Sequence, residues 1–254
     1  MKQKIKLMAH QIALYPNKEA ALLYAQALVE GGAEILEIQI PFSDPSADGP
    51  LIQEACAQTI AAGVRVKDCF AFIKSIHEAF PKLCIYLMSY ASILVSYGLE
   101  SFVLESKAVG VSGFIVPDLP FDSNEGLIDF AEAQGLLYIP VITTSMSEER
   151  LERILACGFT LVYCAIRKGI TGSKTEIADE TIVFLDGLKN RGIKVLAGFG
   201  IVEKSQAELL APHVEAIVAG SVFVEIMQKQ IKENLAQDKI VLLLEEKSKE
   251  LSGK

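Results

Sequence analysis

The chain has 254 residues, of which 51% are hydrophobic and 22% are charged, so it suits one large α/β domain and is too apolar to be disordered. Its formal net charge of -8 argues against binding to nucleic acids or anionic membranes, because those phosphate groups are bound mainly by Lys and Arg. No apolar run reaches the ~18 residues of a membrane span, and no signal-peptide pattern is present. The five scattered cysteines favour free thiols over disulfides or a metal site. We therefore expect a cytoplasmic protein.

Short β-branched runs alternate with longer amphipathic segments along the chain, which is typical of repeated βα units and a parallel sheet. Residues 17–32 and 147–158 show the helix pattern, with a polar start, one apolar face and a closing glycine. An extra helix at 66–80 follows the second unit. We therefore predict a (β/α)8 TIM barrel with extra helices, folded as a single domain over residues 1–254. The eight predicted strands cover residues 5–9, 35–40, 84–88, 113–117, 137–142, 161–165, 194–197 and 216–219.

The first turn favours the barrel over an open, doubly wound sheet. An open sheet usually has a glycine-rich turn after its first strand, whereas residues 9–19 read AHQIALYPNKE. Glycine-rich turns follow the last two predicted strands instead, and barrels often bind a phosphate there.

The second predicted strand carries two polar residues on one face. Alternation directs Glu37 and Gln39 into the barrel and the apolar neighbours to the other side. An unpaired carboxylate is costly to bury, so Glu37 should lie at the open, catalytic end of the barrel. A carboxyl group in a partly apolar pocket is suited to exchange protons near neutral pH. The structural alternative is an ion-paired Glu37 without a chemical role.

The loop after this strand, PFSDPSADGP at 41–50, contains three prolines and two aspartates, and loops after barrel strands build active sites. Asp48 precedes the next predicted helix. The pattern alone leaves open whether Asp48 caps that helix or belongs to the site.

The late turns can bind an anion through backbone N–H groups, the last of them at a helix start where the dipole favours negative charge. Ordinary turn geometry is the alternative for each glycine. The candidate residues are Gly198, Gly200, Ile201, Gly220 and Ser221.

The string PFSDPxADGP beside a strand Glu resembles the signature of the tryptophan synthase alpha subunit family. The similarity covers nearly the whole chain, and its order and spacing agree. Further matching segments are LMSYASILVSYG at 87–98, VPDLP at 116–120, RKGITG at 167–172, GFGI at 198–201 and AGSVFVEI at 219–226.

This resemblance implies a lyase of tryptophan biosynthesis that cleaves indole-3-glycerol phosphate to indole and glyceraldehyde 3-phosphate, without a metal or organic cofactor in this chain. Protonation of indole C3 makes the ring an electron sink, while a proton leaves the side-chain hydroxyl. Glu37 matches the family's acid/base residue. Asp48 matches a carboxylate that stabilises the positive charge developing on the indole N–H.

The resemblance also implies that Tyr163 lines the substrate pocket, that Gly172 contacts the phosphate, and that Thr171 lies in a closing sixth loop and steadies Asp48. Tyr90 is interpreted as packed aromatic mass. The implied partner is a tryptophan synthase beta subunit in an α2β2 complex, which carries pyridoxal phosphate and receives the indole.

Several residues depart from the family pattern. Gln39 stands where the family has Gly, and it could bond to Glu37, fill substrate space or admit a different substrate. Ser46 replaces an apolar residue, and Lys168 stands where a small Ser is common. His10 falls near a large apolar pocket position, and because no acidic partner can be read locally, we expect a packed or pocket-lining histidine.

Three functions therefore remain open. The first is an active lyase subunit with a beta partner. The second is a weakly active regulatory subunit that activates the beta subunit. The third is a stand-alone lyase that releases free indole or acts on another phosphorylated substrate.

Overall fold

A computed structural model of the protein describes residues 5–166, 177–198 and 200–254. In these ranges the chain forms one sheet of nine parallel strands, in the order β5-β4-β3-β2-β1-β9-β8-β7-β6. The strands are β1 (Leu7–Ile12), β2 (Ala33–Gln39), β3 (Cys84–Met88), β4 (Gly113–Ile115), β5 (Leu137–Tyr138), β6 (Val141–Thr143), β7 (Leu161–Ala165), β8 (Lys194–Gly198) and β9 (Ala216–Ala219).

The fifth predicted strand is divided into β5 and β6. Pro140 lies at the division and has no N–H to donate to the sheet, which breaks the ladder there. Because β5 pairs with β4 and β6 pairs with β7, the two end strands of the sheet follow each other directly in the chain. The sheet thus curls into the predicted (β/α)8 TIM barrel, which confirms the fold class.

Helices cover the outside of the barrel, and the predicted extra helix between the second and third units is confirmed as α3. In the described part of the chain, no helix combines the length and the apolar character needed to cross a membrane. The helices are α1 (Lys18–Glu30), α2 (Pro50–Ala61), α3 (Val66–Ala79), α4 (Ala91–Tyr97), α5 (Leu99–Ala108), α6 (Leu127–Ala133), α7 (Glu148–Ala156), α8 (Asp179–Asn190), α9 (Lys204–Leu210), α10 (Ser221–Lys232) and α11 (Gln237–Ser252).

The apolar core has two layers, one between strands and helices and one inside the barrel. In β2, Leu36 and Ile38 belong to the outer layer and Ile35 to the inner one, so alternation directs Glu37 and Gln39 inward as predicted. These apolar layers, which remove most large side chains from water, hold the strand ends that carry the polar groups.

The first strand extends beyond its predicted end at residue 9. It continues to Ile12, so His10 lies within β1, and the parallel register places His10 directly beside Glu37 of β2. This shift in the strand boundary changes the environment of the histidine.

Candidate functional site

A cavity opens at the carboxyl ends of the strands, the end of the barrel that carries active sites in this fold. Its wall includes His10 and apolar side chains such as Ile52 and Ile115. Six of the site residues predicted from the sequence line it: Glu37, Asp48, Tyr163, Gly200, Gly220 and Ser221.

Other predicted site residues lie elsewhere. Gly198 and Ile201 lie within two residues of Gly200 in the chain but are not among the residues that line the cavity. The Ile201 side chain is buried in the outer core layer. Ser46 is exposed. The predictions for Thr171 and Gly172, like the departure at Lys168, fall outside the described residues.

Glu37 is bonded to His10. The carboxyl Oε2 lies 3.0 Å from His10 Nδ1, and both residues are 4% exposed. Glu37 is thus the acidic partner of His10 that cannot be read from the local sequence. The register of β1 and β2 joins these two residues, which are 27 positions apart.

Burial lowers the pKa of His10, but the hydrogen bond and the charge of Glu37, together with the charge of Asp48, more than offset it and hold the pKa above its usual 6.5. The interaction with Glu37 therefore favours the imidazolium form of His10. This arrangement gives the buried carboxylate a partner without removing it from the cavity wall.

Asp48 accepts two hydrogen bonds at a single oxygen. Tyr90 Oη and Gln39 Nε2 each donate to Asp48 Oδ2 at 2.7 Å. The N-cap of α2 is Gly49, and no side chain caps that helix, so Asp48 is not the cap that the pattern also allowed. Among the described residues no hydrogen bond to Oδ1 is found, so this oxygen is available to a ligand in the cavity that Asp48 lines.

Burial raises the pKa of Asp48, and the nearby Glu37 raises it further, whereas the charge of His10 and the hydrogen bonds from Tyr90 and Gln39 lower it in part. The charge of His10 and the hydrogen bonds from Tyr90 and Gln39 stabilise the ionised form of Asp48. They therefore offset part of the effect of burial and favour the carboxylate form.

Tyr90, interpreted from the sequence as packed aromatic mass, also makes hydrogen bonds to the loop that carries Asp48. Its hydroxyl also accepts a hydrogen bond from Ala47 N at 3.2 Å, and its ring stacks on Phe42 with centroids 5.0 Å apart. Burial and the carboxylate of Asp48 raise the pKa of the Tyr90 hydroxyl, which keeps it protonated as a donor. The position of Tyr90 directly after β3, at the active end of the barrel, was the available signal.

Gln39 bonds to Asp48 and not to Glu37, the partner considered from the sequence. Its side chain is fully buried, and Nε2 also contacts Cys56 Sγ at 3.6 Å. Gln39 is not among the residues that line the cavity, so its side chain does not occupy the space considered for the substrate. The departure from Gly at this position instead adds a donor to the carboxylate in the next loop.

Gly198 makes room for Tyr163. A Cβ at Gly198 would lie 2.7 Å from Tyr163 Oη and 2.8 Å from Val218 Cβ, which real structures do not allow. Burial raises the pKa of Tyr163 well above its usual value, and the charges of Glu37 and Asp48 add to this. Tyr163 is thus a neutral hydroxyl facing the two carboxylates.

Gly200 and Gly220 also line the cavity. Gly200 has a φ of +80°, a left-handed conformation that favours glycine. Gly220 is the N-cap of α10, and Ser221 begins that helix, so their backbone N–H groups lie at its positive end. This part of the cavity is suited to an anion.

Comparison with known proteins gives one consistent family. The family model described as tryptophan synthase alpha chain matches residues 1–252. A tryptophan synthase alpha chain from Helicobacter hepaticus is 37% identical over 232 residues, which cover 89% of this chain and 87% of the relative. Another from Methanosarcina barkeri is 35% identical over 237 residues, covering 92% and 89%.

Solved structures agree with the sequence relatives. A chain from a structure of the tryptophan synthase α2β2 complex of Pyrococcus furiosus matches with a TM-score of 0.87 at 29% identity and covers 100% of both chains. A chain of Mycobacterium tuberculosis tryptophan synthase matches with a TM-score of 0.85 at 28% identity, covering 98% of this chain and 92% of that one.

Proposed function

The chain belongs to the tryptophan synthase alpha chain family, and from this premise we propose that its barrel cavity carries out the family's lyase reaction with the residues that line it. That reaction is the retro-aldol cleavage of indole-3-glycerol phosphate to indole and glyceraldehyde 3-phosphate. The observation that carries the assignment of residues is the presence of Glu37 and Asp48 on one cavity wall, each with its own set of bonded partners.

Glu37 acts as the acid/base group. In its protonated form it transfers a proton to indole C3, and as a carboxylate it accepts the proton that leaves the side-chain hydroxyl as the carbon–carbon bond breaks. His10 bonds only one carboxyl oxygen of Glu37, at Oε2, which leaves Oε1 for the substrate. The imidazolium form of His10 stabilises the carboxylate between the two transfers.

Asp48 stabilises the charge that this protonation creates. Protonation at C3 places positive charge on the ring N–H, and Oδ1 of Asp48 is available to accept a hydrogen bond from it. Because Tyr90 and Gln39 hold the other oxygen, the carboxylate needs little rearrangement during the reaction.

The phosphate of the substrate binds at Gly220 and Ser221, with Gly200 beside them on the same wall. The backbone N–H groups at the start of α10 and the helix dipole support this placement. Tyr163 completes the pocket between this end and the two carboxylates. Contacts from Gly172 and Thr171 remain predictions from the family resemblance.

The partner is a tryptophan synthase beta subunit, as in the α2β2 complex from Pyrococcus furiosus whose alpha chain this chain resembles. In this proposal pyridoxal phosphate belongs to the beta subunit, and the alpha chain works without an organic cofactor. The continuous outer core supports folding of residues 1–254 as a single domain. The cytoplasmic location stays a prediction.

Indole release from indole-3-glycerol phosphate tests the function directly. We expect the chain alone to release indole, because both proposed catalytic carboxylates line the cavity of this chain. We expect the cognate beta subunit to increase the rate through linkage between partner binding and the site. Beta-subunit activation without indole release would favour a regulatory subunit. Release that the beta subunit leaves unchanged would favour a stand-alone lyase.

The hydrogen bond from Gln39 should contribute to cleavage. Gln39→Leu keeps a similar volume but removes the donor to Asp48, so we expect kcat/KM to fall about tenfold, the usual effect of losing a hydrogen bond to a charged group. Steady-state indole release measures this. Gln26→Leu on the exposed side of α1 is the matched control. An unchanged or higher kcat/KM in Gln39→Leu would show that Tyr90 alone holds Asp48.

A further inference from the structure

His10 has one bonded ring nitrogen and one that is unused. Nδ1 is bonded to Glu37, whereas Nε2 is buried and has no hydrogen-bond partner among the described residues. The residue is 4% exposed and lines the cavity. A buried ring nitrogen without a partner is costly, so its presence on a cavity wall points to a ligand group.

The orientation of the ring indicates which part of the cavity this nitrogen serves. A Cβ built at Gly220 would lie 3.3, 3.4 and 3.6 Å from His10 Cβ, Cγ and Cδ2. Nε2 is bonded to Cδ2, and Nδ1 is on the other side of Cγ. The Cδ2 side of the imidazole, to which Nε2 also belongs, therefore lies towards Gly220, while the Nδ1 side lies towards Glu37.

The negative charge of the residues that line the cavity also favours a cation beside a bound anion. The described residues that line it include the carboxylates of Glu37 and Asp48 but neither Lys nor Arg. A phosphate ester would add further negative charge to the same cavity. His10 is the one lining residue in the described ranges that can become a cation at ordinary pH.

We propose that His10 is a binding residue for an anionic ligand group, with Nε2–H donated to an oxygen of a phosphate held at Gly220 and Ser221 while Nδ1–H is donated to Glu37. This inference rests on the proposed function in taking that anion to be the substrate's phosphate. The imidazolium ring of His10 is then hydrogen-bonded to both Glu37 and the phosphate, so that one side chain orders both groups.

The expected pH dependence follows from the groups that face this ring. Glu37 on β2 and Asp48 in the following loop are carboxylates, Tyr163 on β7 is a neutral hydroxyl, and the cavity-lining residues of α10 carry no titratable group. His10 has a raised pKa, so it is charged below that pKa and loses its charge as the pH rises through it. Anion affinity should therefore be highest at low pH and fall as His10 deprotonates.

Histidine NMR with sulfate tests the proposal without using catalysis. Sulfate resembles phosphate but does not itself titrate between pH 5 and 9. The chain has only three histidines, so the His10 signal can be assigned by elimination with His77→Gln and His213→Gln. We expect saturating sulfate to raise the titration midpoint of His10 by about one pH unit, which corresponds to about tenfold tighter binding to the charged form.

His77 and His213 serve as controls within the same molecule, because neither lines the cavity. Their midpoints should not move, and chloride at equal ionic strength should leave all three unchanged. In His10→Gln, sulfate affinity should not depend on pH. A His10 midpoint that does not respond to sulfate, or one that moves no more than that of His213, would overturn the proposal. Absence of lyase activity would not change this result, so the two hypotheses can fail separately.

Discussion

Glu37→Gln should lower kcat for indole release by about 10²–10⁴-fold, the range contributed by a general acid/base group. The amide has nearly the same size as the carboxyl but cannot donate a proton to indole C3 or take one from the hydroxyl. Among the described residues, Asp48 is the one other carboxyl that lines the cavity, and it is anchored through Oδ2 by Tyr90 and Gln39.

The same substitution should leave folding and substrate binding largely intact. The amide oxygen can still accept a hydrogen bond from His10 Nδ1–H, so the buried ring keeps its partner. Single-turnover indole release measures the chemical step, and circular dichroism with thermal unfolding checks the fold. Glu100→Gln on exposed α5 is the matched control and should behave as the unchanged chain does. An active Glu37→Gln protein would overturn the acid/base assignment.

Asp48→Asn should lower kcat by about 10²–10³-fold, comparable to the loss of one group that stabilises a developing charge. Tyr90 and Gln39 both donate to the same oxygen, Oδ2. Asparagine can keep both bonds only by placing its carbonyl oxygen there, which puts its NH₂ group where Oδ1 stood. That NH₂ group would face the indole N–H, so a donor would meet a donor and the stabilising charge would be lost.

Rapid-quench measurement of indole formation by the chain alone tests this expectation. Asp44→Asn is the matched control, because Asp44 lies in the same loop and is exposed, and its side chain is bonded only by its neighbour Ser43 among the described residues. We expect it to retain the full rate. If Asp48→Asn retained it as well, the carboxylate would have a structural role in the loop and none in charge stabilisation.

Much of the barrel could be predicted because its strands and helices have strong periodic patterns. Two boundaries could not. The first strand continues to Ile12, where the apolar run is interrupted by His10 and Gln11 and the local pattern therefore weakens. The fifth strand divides at Pro140, and the effect of a proline on pairing depends on which neighbour needs its missing N–H.

The sequence by itself determined the family, the fold class, and the strand and loop that carry Glu37 and Asp48 to one end of the barrel. Alternation and the loop motif suffice for this, because they depend only on near neighbours in the chain. Only the tertiary structure decided the partners of these carboxylates. His10 is 27 residues from Glu37, and Tyr90 is 42 residues from Asp48. Such hydrogen bonds depend on strand register and side-chain direction across the barrel, which no local pattern specifies.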